Sequence, residues 1–137
     1  MKFLSEGYNL LYLAGMIVSG TILIWPLFSR LLTLGKEIGT LEATQLINKN
    51  ALVIDVREAK EFAEGHILNA KNVPIADLEK RTGEFKKYLE KPIIISADTS
   101  AQANTAIKIL TQKEFTQLYQ LKGGLASWRQ ANLPIEK

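Results

Sequence analysis

The chain has 137 residues, of which 47% are hydrophobic and 23% are charged. This balance is typical of a globular protein of about one domain and excludes a disordered polyelectrolyte, a collagen-like repeat and a coiled-coil rod. The 17 Lys and Arg residues exceed the 14 Asp and Glu residues only slightly, so the formal charge of +3 does not indicate a nucleic-acid partner. The sequence contains no cysteine, which excludes disulfides, thiolate metal sites and any thiol-based reaction performed by this chain alone.

The first predicted element is a membrane-spanning helix at residues 8–28, between a tail at residues 1–7 and a connector at residues 29–39. No charged residue lies between Glu6 and Arg30, and at about 1.5 Å per residue the helix spans roughly 31 Å, the thickness of the bilayer hydrocarbon. The alternatives are a buried core helix and a cleaved signal peptide. The remaining domain is too small to surround a core helix, and the apolar stretch ends without a small-residue cleavage site.

The charges that flank this segment predict its orientation. The connector carries Arg30 and Lys36, more fixed positive charge than the tail, so the positive-inside rule places the remainder of the chain in the cytoplasm. Membrane lipid is then a partner through residues 8–28. Gly15 and Ser19 have the spacing of a helix–helix contact in membranes. Because apolar helices often contain this spacing by chance, a homodimer stays an open alternative.

Residues 40–137 alternate short apolar runs with helical stretches, which predicts an α/β domain. Helices are predicted at residues 40–49, 58–64, 75–80, 83–89, 103–112 and 125–130, and strands at residues 52–54, 71–73, 93–95 and 118–121. The strands 52–54 and 93–95 contain only Leu, Val and Ile, the pattern of strands buried on both faces. Strands that alternate with helices favour a mostly parallel sheet with helices on both sides.

Two motifs in this domain resemble those of rhodanese-like domains. The first is VIDVREAKEFAEGHILNAKNVPI at Val53 to Ile75, and the second is LKGGLASW at Leu121 to Trp128, with a predicted chain reversal at Gly123 and Gly124. The matching positions of the first motif are Asp55, Arg57, Glu58, Phe62, Gly65, His66, Ile67, Ala70 and Pro74. With its apolar N-terminal segment, the chain looks most like the small bacterial YibN-like type. The resemblance implies a parallel five-stranded sheet flanked by helices, an active loop after the central strand, and a place in the bacterial inner membrane.

Most of the motif residues are expected to have structural roles. Asp55 and Arg57 follow a buried strand, at the edge where open α/β sheets place their sites, and are expected to pair with each other or with nearby loops. Glu58 begins the next helix, where a negative charge is favourable. His66, the only histidine, is expected to donate to a loop carbonyl, because a metal would need further ligands. No metal and no other cofactor is predicted.

The loop after strand 93–95 decides the functional hypothesis. Active rhodaneses carry there a cysteine whose thiolate attacks sulfane sulfur and holds it as a persulfide. The resemblance places that position at Ala97. The loop backbone is expected to remain available for ligand binding at Ala97, Asp98, Thr99, Ser100, Ala101 and Gln102. Asp98 stands where the family often has a cation, and Ser96 and Ser100 would each need an adjacent base to act as nucleophiles.

The sequence therefore predicts a catalytically inactive rhodanese-like module that is anchored in a membrane and binds an unidentified protein partner or a small ligand. One alternative is a sulfurtransferase that relays sulfur through a thiol supplied by a partner chain. Another is a scaffold whose binding surface lies elsewhere. The basic residues between Lys80 and Lys91 are interspersed with glutamates, which favours a solvated helix face over contact with lipid.

Overall fold

The computed structural model describes residues 11, 12, 14–17, 24 and 35–137, and the chain divides into two compact units, Met1–Leu32 and Thr33–Lys137. The described residues of the first unit are helical. Among the residues that are described, no helix has the length and apolar content needed to cross a membrane. The predicted tail at residues 1–7 and most of the predicted span at residues 8–28 lie outside the described residues.

The second unit contains all the strands and helices that the sequence pattern predicts, together with three further strands. The strands are β1 (Lys36–Ile38), β2 (Leu52–Asp55), β3 (His66–Ile67), β4 (Lys71–Asn72), β5 (Ile93–Ser96), β6 (Leu118–Leu121) and β7 (Ile135–Glu136). The helices are α1 (Thr40–Asn48), α2 (Ala59–Glu64), α3 (Ile75–Arg81), α4 (Ser100–Gln112) and α5 (Gly124–Gln130), and a 3₁₀ helix spans Thr82–Tyr88.

Five of the strands form one parallel sheet in the order β1-β6-β5-β2-β4. The predicted α/β class and the parallel five-stranded sheet flanked by helices are confirmed. Asp55 at the end of β2 is in register with Ser96 of β5 and with Asn72 of β4. The carboxyl ends of these strands therefore meet at one edge of the sheet. The short strands β3 and β7 form a separate antiparallel pair.

Side chains alternate along β2 and β5 between two apolar cores. Ile54, Ile93 and Ile95 face one core, which α3, the 3₁₀ helix and α4 complete. Val53 and Ile94 face the other core, to which α1 and α5 contribute. Because both faces of these strands pack against helices, all three isoleucines of β5 are fully buried, as their unbroken apolar run predicts.

The three strands that the sequence pattern does not predict are short and carry little apolar signal. β1 lies within the segment assigned to the connector, and only Ile38 of its three residues is buried. It pairs with β6, far along the chain. The pair formed by β3 and β7 has two residues in each strand. Such strands form because distant segments supply their hydrogen-bond partners, which a local pattern does not reveal.

Candidate functional site

The candidate site begins where β5 ends and the chain turns into α4. Ala97 is buried, whereas Asp98 and Thr99 are exposed. Thr99 has an extended backbone and caps α4, and its Oγ1 accepts a hydrogen bond from the backbone nitrogen of Gln102 at 3.1 Å. The side-chain Oε1 of Gln102 accepts in return from the backbone nitrogen of Asp98 at 2.9 Å. This reciprocal pair is a variant of a capping box. It explains why α4 begins three residues before the predicted start and holds the loop backbone in place.

The loop forms one wall of a small cleft of about 100 Å³, a volume equivalent to about three water molecules. The lining residues are 97–100 and 103 from the loop and α4, 120–124 from β6 and the turn that follows it, and Glu37 from β1. Four of the residues predicted to bind a ligand, Ala97, Asp98, Thr99 and Ser100, therefore share this cleft. Ala101 and Gln102 are not part of its lining.

Gly123 and Gly124 form the opposite wall of the cleft. Both have positive φ values, 77° and 55°, a conformation that glycine adopts at low energetic cost. A Cβ atom on Gly124 would lie 2.5 Å from the carbonyl oxygen of Ala97, and one on Gly123 would lie 2.9 Å from the Cβ of Ser127. The predicted chain reversal is confirmed. These two glycines allow the turn after β6 to approach the loop closely.

Asp55 and Arg57 form a buried ion pair at the end of β2. Arg57 Nη2 donates to Asp55 Oδ2 at 2.8 Å and to the carbonyl oxygen of Gly65 at 2.8 Å, and Arg57 Nε donates to Asp55 Oδ1 at 3.0 Å. Burial lowers the pKa of the Arg57 guanidinium, but the hydrogen bond to Asp55 and the negative charges of Asp55, Asp98 and Glu61 raise it above its ordinary value. The predicted pairing of Asp55 with Arg57 is confirmed.

His66 connects two segments of the fold and does not line the cleft. Its Nδ1 lies 2.7 Å from the carbonyl oxygen of Phe62, and its ring stacks on the Phe62 ring with centroids 3.6 Å apart. Its Nε2 lies 3.3 Å from Oε1 of Glu136, an oxygen that also accepts from the backbone nitrogen of Asn69. His66 contacts a backbone carbonyl, but this carbonyl belongs to helix α2 and not to a loop as predicted. His66 thereby links α2 to β7.

The other motif residues also hold the fold together. Glu58, predicted to begin the helix, is the N-cap of α2, which starts one residue later, and its carbonyl oxygen accepts the first hydrogen bond of that helix at 3.0 Å. Gly65 ends α2, and its carbonyl oxygen is the acceptor for Arg57. Trp128 is buried in the core of α1 and α5, and its Nε1 donates to the carbonyl oxygen of Pro134 at 2.8 Å.

The carboxyl groups of Glu58, Glu61 and Asp98 form a cluster beside the cleft. The sequence motifs identify Glu58 and Asp98 but not Glu61. The pKa of the Glu61 carboxyl is raised, first by a hydrogen bond with the side chain of Asp98, then by loss of hydration and by the negative charges of Asp98 and Glu58, while Arg57 lowers it. Glu61 belongs to α2 and Asp98 to the loop after β5, so only the fold brings them together. Negative charge here disfavours an anionic ligand.

The groups around Ala97 are suited to binding, and none has the surroundings of a nucleophile. Ser96 is fully buried, and its Oγ has no hydrogen-bond partner among the described residues. A serine nucleophile needs an adjacent base, and the ring nitrogens of His66 face Phe62 and Glu136. Within the described part of the chain, no three His, Asp or Glu side chains are grouped as a metal ion requires.

Comparison with known proteins is consistent with this architecture. Residues 40–131 match the family model described as "Rhodanese-like domain". The uncharacterized protein YibN of Escherichia coli K12 is 36% identical over 96 residues, which are 69% of this chain and 67% of that protein. The thiosulfate sulfurtransferase GlpE of Coxiella burnetii is 32% identical over 95 residues, 69% of this chain and 87% of that protein.

A solved structure gives the same result at the level of the fold. The crystal structure of a rhodanese-related protein from Thermoplasma volcanium matches with a TM-score of 0.64 and 25% sequence identity, covering 74% of this chain and 97% of that one. Both sequence motifs, residues 53–75 and residues 121–128, lie inside the segment that matches the family model. The resemblance that these motifs predict is therefore confirmed, as is the similarity to YibN.

Proposed function

This chain belongs to the rhodanese-like domain family, and on that premise we propose that it is a membrane-anchored, catalytically inactive member that binds a protein or a small polar ligand at the cleft beside Ala97. One observation carries the proposal. Ala97 stands at the end of the central strand, where sulfur transfer in this family needs a thiolate, and the sequence contains no cysteine. A methyl group neither attacks sulfane sulfur nor holds it as a persulfide.

The charges around the cleft support binding of a neutral or cationic group over binding of thiosulfate. Asp98 and Glu37 line the cleft, and the nearness of Asp98 raises the pKa of the Glu61 carboxyl beside it. Lys122 is the one cationic side chain among the described lining residues. Because like charges repel at short range, a dianionic sulfur donor is unfavourable at this position.

The polar groups of the cleft fit a ligand that both donates and accepts hydrogen bonds. Ser100 is the first residue of α4, where a backbone N–H group has no preceding helical carbonyl to bind. The lining also includes the hydroxyl-bearing Ser100 and the carboxylate-bearing Asp98, whose oxygens are hydrogen-bond acceptors. A carboxamide or hydroxyl group, such as the end of a partner's side chain, matches both this chemistry and the volume of about 100 Å³.

The N-terminal segment supports the membrane part of the proposal. Residues 8–28 carry no charge, and the large apolar side chains described there, Leu11, Tyr12, Met16, Ile17 and Ile24, are 60% to 74% exposed. Apolar surface of this kind is normally covered by lipid or protein. The excess of Lys and Arg after the segment supports a cytoplasmic domain at the bacterial inner membrane.

Fractionation followed by an activity assay tests both parts of the proposal on the full chain. We expect the protein to remain in the membrane pellet after an alkaline carbonate wash. After extraction in detergent, we expect it to transfer no sulfur from thiosulfate to cyanide above background. The Met16→Arg/Ile17→Arg variant is expected to leave the pellet, because two charges in the apolar segment oppose insertion. Leu41→Arg, at an exposed apolar position on α1, is the matched control and should stay in the pellet.

Ala97→Cys supplies the control for the activity assay. We expect its thiol to react with iodoacetamide, because residue 97 lines an accessible cleft, whereas Ala97→Ser should not react. Sulfur transfer well above background by the unmodified chain contradicts the inactive assignment, and transfer only with an added partner thiol favours the relay alternative. Recovery of the unmodified chain from the aqueous fraction without detergent contradicts the membrane anchor.

A further inference from the structure

A second depression lies between the edge strand β4 and the 3₁₀ helix, away from the residues that line the cleft of Ala97. We call it the edge groove. It has a volume of about 360 Å³, which falls within the usual range for ligand sites. Its charged lining residues are Lys71, Arg81, Lys87 and Glu84. Neither sequence motif of the family includes the 3₁₀ helix that forms one of its walls.

The arginine of the edge groove is neutralised within the protein. Arg81 Nε and Nη2 donate to the two carboxylate oxygens of Glu84 at 2.8 and 3.2 Å, and Arg81 Nη1 donates to the carbonyl oxygen of Asn72 at 3.2 Å. The hydrogen bond with Arg81 is the largest effect on the pKa of Glu84 and lowers it; loss of hydration opposes this, and the positive charges of Arg81 and Lys71 lower the pKa further. Glu84 therefore stays ionised and balances Arg81.

The lysines of the edge groove are not balanced in this way. Among residues 35–137, neither Lys71 nor Lys87 has a carboxylate oxygen within 4.0 Å. The ammonium of Lys87 lies 5.3 Å from the centroid of the Tyr88 ring, and that of Lys91 lies 5.9 Å from it, a range in which cation–π attraction acts. Of these two lysines only Lys87 lines the groove, and its ammonium lies near the ring of Tyr88 at the groove wall.

From this arrangement we infer that the edge groove binds an acidic peptide segment of a protein partner. Carboxylates of the segment pair with Lys71 and Lys87, and an apolar side chain packs against the ring of Tyr88 and the buried side chain of Phe85. Charge complementarity of this kind fixes register and accelerates encounter. We do not expect the segment to add a strand to the sheet, because the carbonyl oxygen of Asn72 at the sheet edge already accepts a hydrogen bond from Arg81.

The same observations favour a peptide over other anions. A phosphate group is bound best by a planar, bidentate guanidinium, and the guanidinium of Arg81 is already bound to Glu84 and Asn72. The free cations are lysines at separate positions along the groove, which suits carboxylates spaced along a chain. A membrane surface is flat, whereas the apolar residues Leu52 and Phe85 are buried at the base of a concave site.

Fluorescence anisotropy with the full chain in neutral detergent micelles tests this inference. The probe is a fluorescein-labelled peptide with four glutamates around a central phenylalanine. We expect Lys71→Glu/Lys87→Glu to weaken peptide binding about tenfold, because each change removes one attraction and adds one repulsion. Lys49→Glu/Lys108→Glu makes the same change of net charge at exposed positions outside the groove and should weaken binding less than about twofold. Circular dichroism melting of all variants shows whether each is folded.

Three results would overturn the inference. Equal weakening by the control pair would mean that the peptide responds to net charge alone. Displacement of the peptide by millimolar inorganic phosphate, beyond what sodium chloride of equal ionic strength causes, would assign the groove to phosphate. Reduced binding of the groove variant to phosphatidylglycerol vesicles, with unchanged affinity for the peptide, would assign it to lipid. None of these outcomes depends on whether the cleft beside Ala97 transfers sulfur.

Discussion

Neighbouring motif residues at the ends of β2 and β5 have different roles. The charged groups of Asp55 and Arg57 bind each other and the backbone of Gly65, so these strongly polar residues are used to hold the fold. Ala97, at the end of β5, has no polar side-chain atom and yet lines the cleft. The charged pair thus holds a strand end in position, while the loop after β5 forms a wall of the cleft.

Loss of the carboxylate of Asp55 provides a direct test of that structural role. Asp55→Asn leaves the buried guanidinium of Arg57 without its counter-charge, and the expected loss in free energy of unfolding is about 3 to 5 kcal/mol. The measurement is urea denaturation of the full chain in detergent. Glu84→Gln, which breaks an exposed pair with Arg81, is the control and should cost less than about 1 kcal/mol. A similar small loss for both variants would show that the buried pair does not support the fold.

The sequence predicts only those residues of the cleft region that lie next to a recognisable local pattern. The loop residues Ala97, Asp98, Thr99 and Ser100 are recognisable because they follow a strong apolar run, and Gly123 and Gly124 because they form a doublet. Glu61 and Glu37 carry no such local signal. They reach the cleft region because α2 and β1 are placed there by the sheet order, which depends on contacts between segments distant in the chain.

Among the secondary-structure elements, burial decides which ones the sequence can predict. β2 and β5 are buried on both faces, so their composition alone identifies them. β1, β3 and β7 are short, and each owes its hydrogen bonds to a distant partner. β1 extends the sheet into the segment assigned to the connector and supplies Glu37 to the cleft. An edge element without an apolar pattern can therefore contribute to the candidate site.

The turn between β6 and α5 is the element whose geometry most directly sets the width of the cleft. Gly124→Ala is expected to lower the free energy of unfolding by about 1 to 3 kcal/mol, because alanine disfavours positive φ and its Cβ would lie 2.5 Å from the carbonyl oxygen of Ala97. Thermal denaturation measures the loss. Gly83→Ala, in the 3₁₀ helix, places its Cβ in open space and should change stability by less than about 0.5 kcal/mol. Equal effects would mean that the close approach of turn and loop is not required.

At the scale of the whole molecule, the net charge of +3 is small, but two parts of the surface carry charge of opposite sign. Asp98 and Glu61 make the surroundings of the cleft acidic, whereas Lys71 and Lys87 make the edge groove basic. The alternation of Lys and Glu between Lys80 and Lys91 predicts a solvated helix face, and on this face the fold pairs Glu84 with Arg81. The domain therefore presents two depressions whose surroundings carry opposite charge.

The acidic surface also gives the folded domain a specific dependence on pH. The folded-state pKa of Glu61 is raised above its ordinary value, chiefly by the hydrogen bond with Asp98, so the folded state holds this proton more tightly than the unfolded chain does. The stabilisation is complete below the ordinary glutamate pKa of about 4.3 and is lost as the pH rises through the higher folded value. Glu61→Gln keeps a hydrogen-bond donor towards Asp98 and does not ionise.

The midpoint of thermal unfolding, measured as a function of pH, checks this dependence. Glu61→Gln is expected to melt at a higher temperature than the unmodified chain at about pH 7 and at the same temperature near pH 3, where Glu61 is protonated in both states. Glu64→Gln removes one negative charge from the same helix at an exposed position, and it should not reproduce the pH-dependent difference. A constant offset between Glu61→Gln and the unmodified chain across this range would show that Asp98 does not raise the folded-state pKa of Glu61.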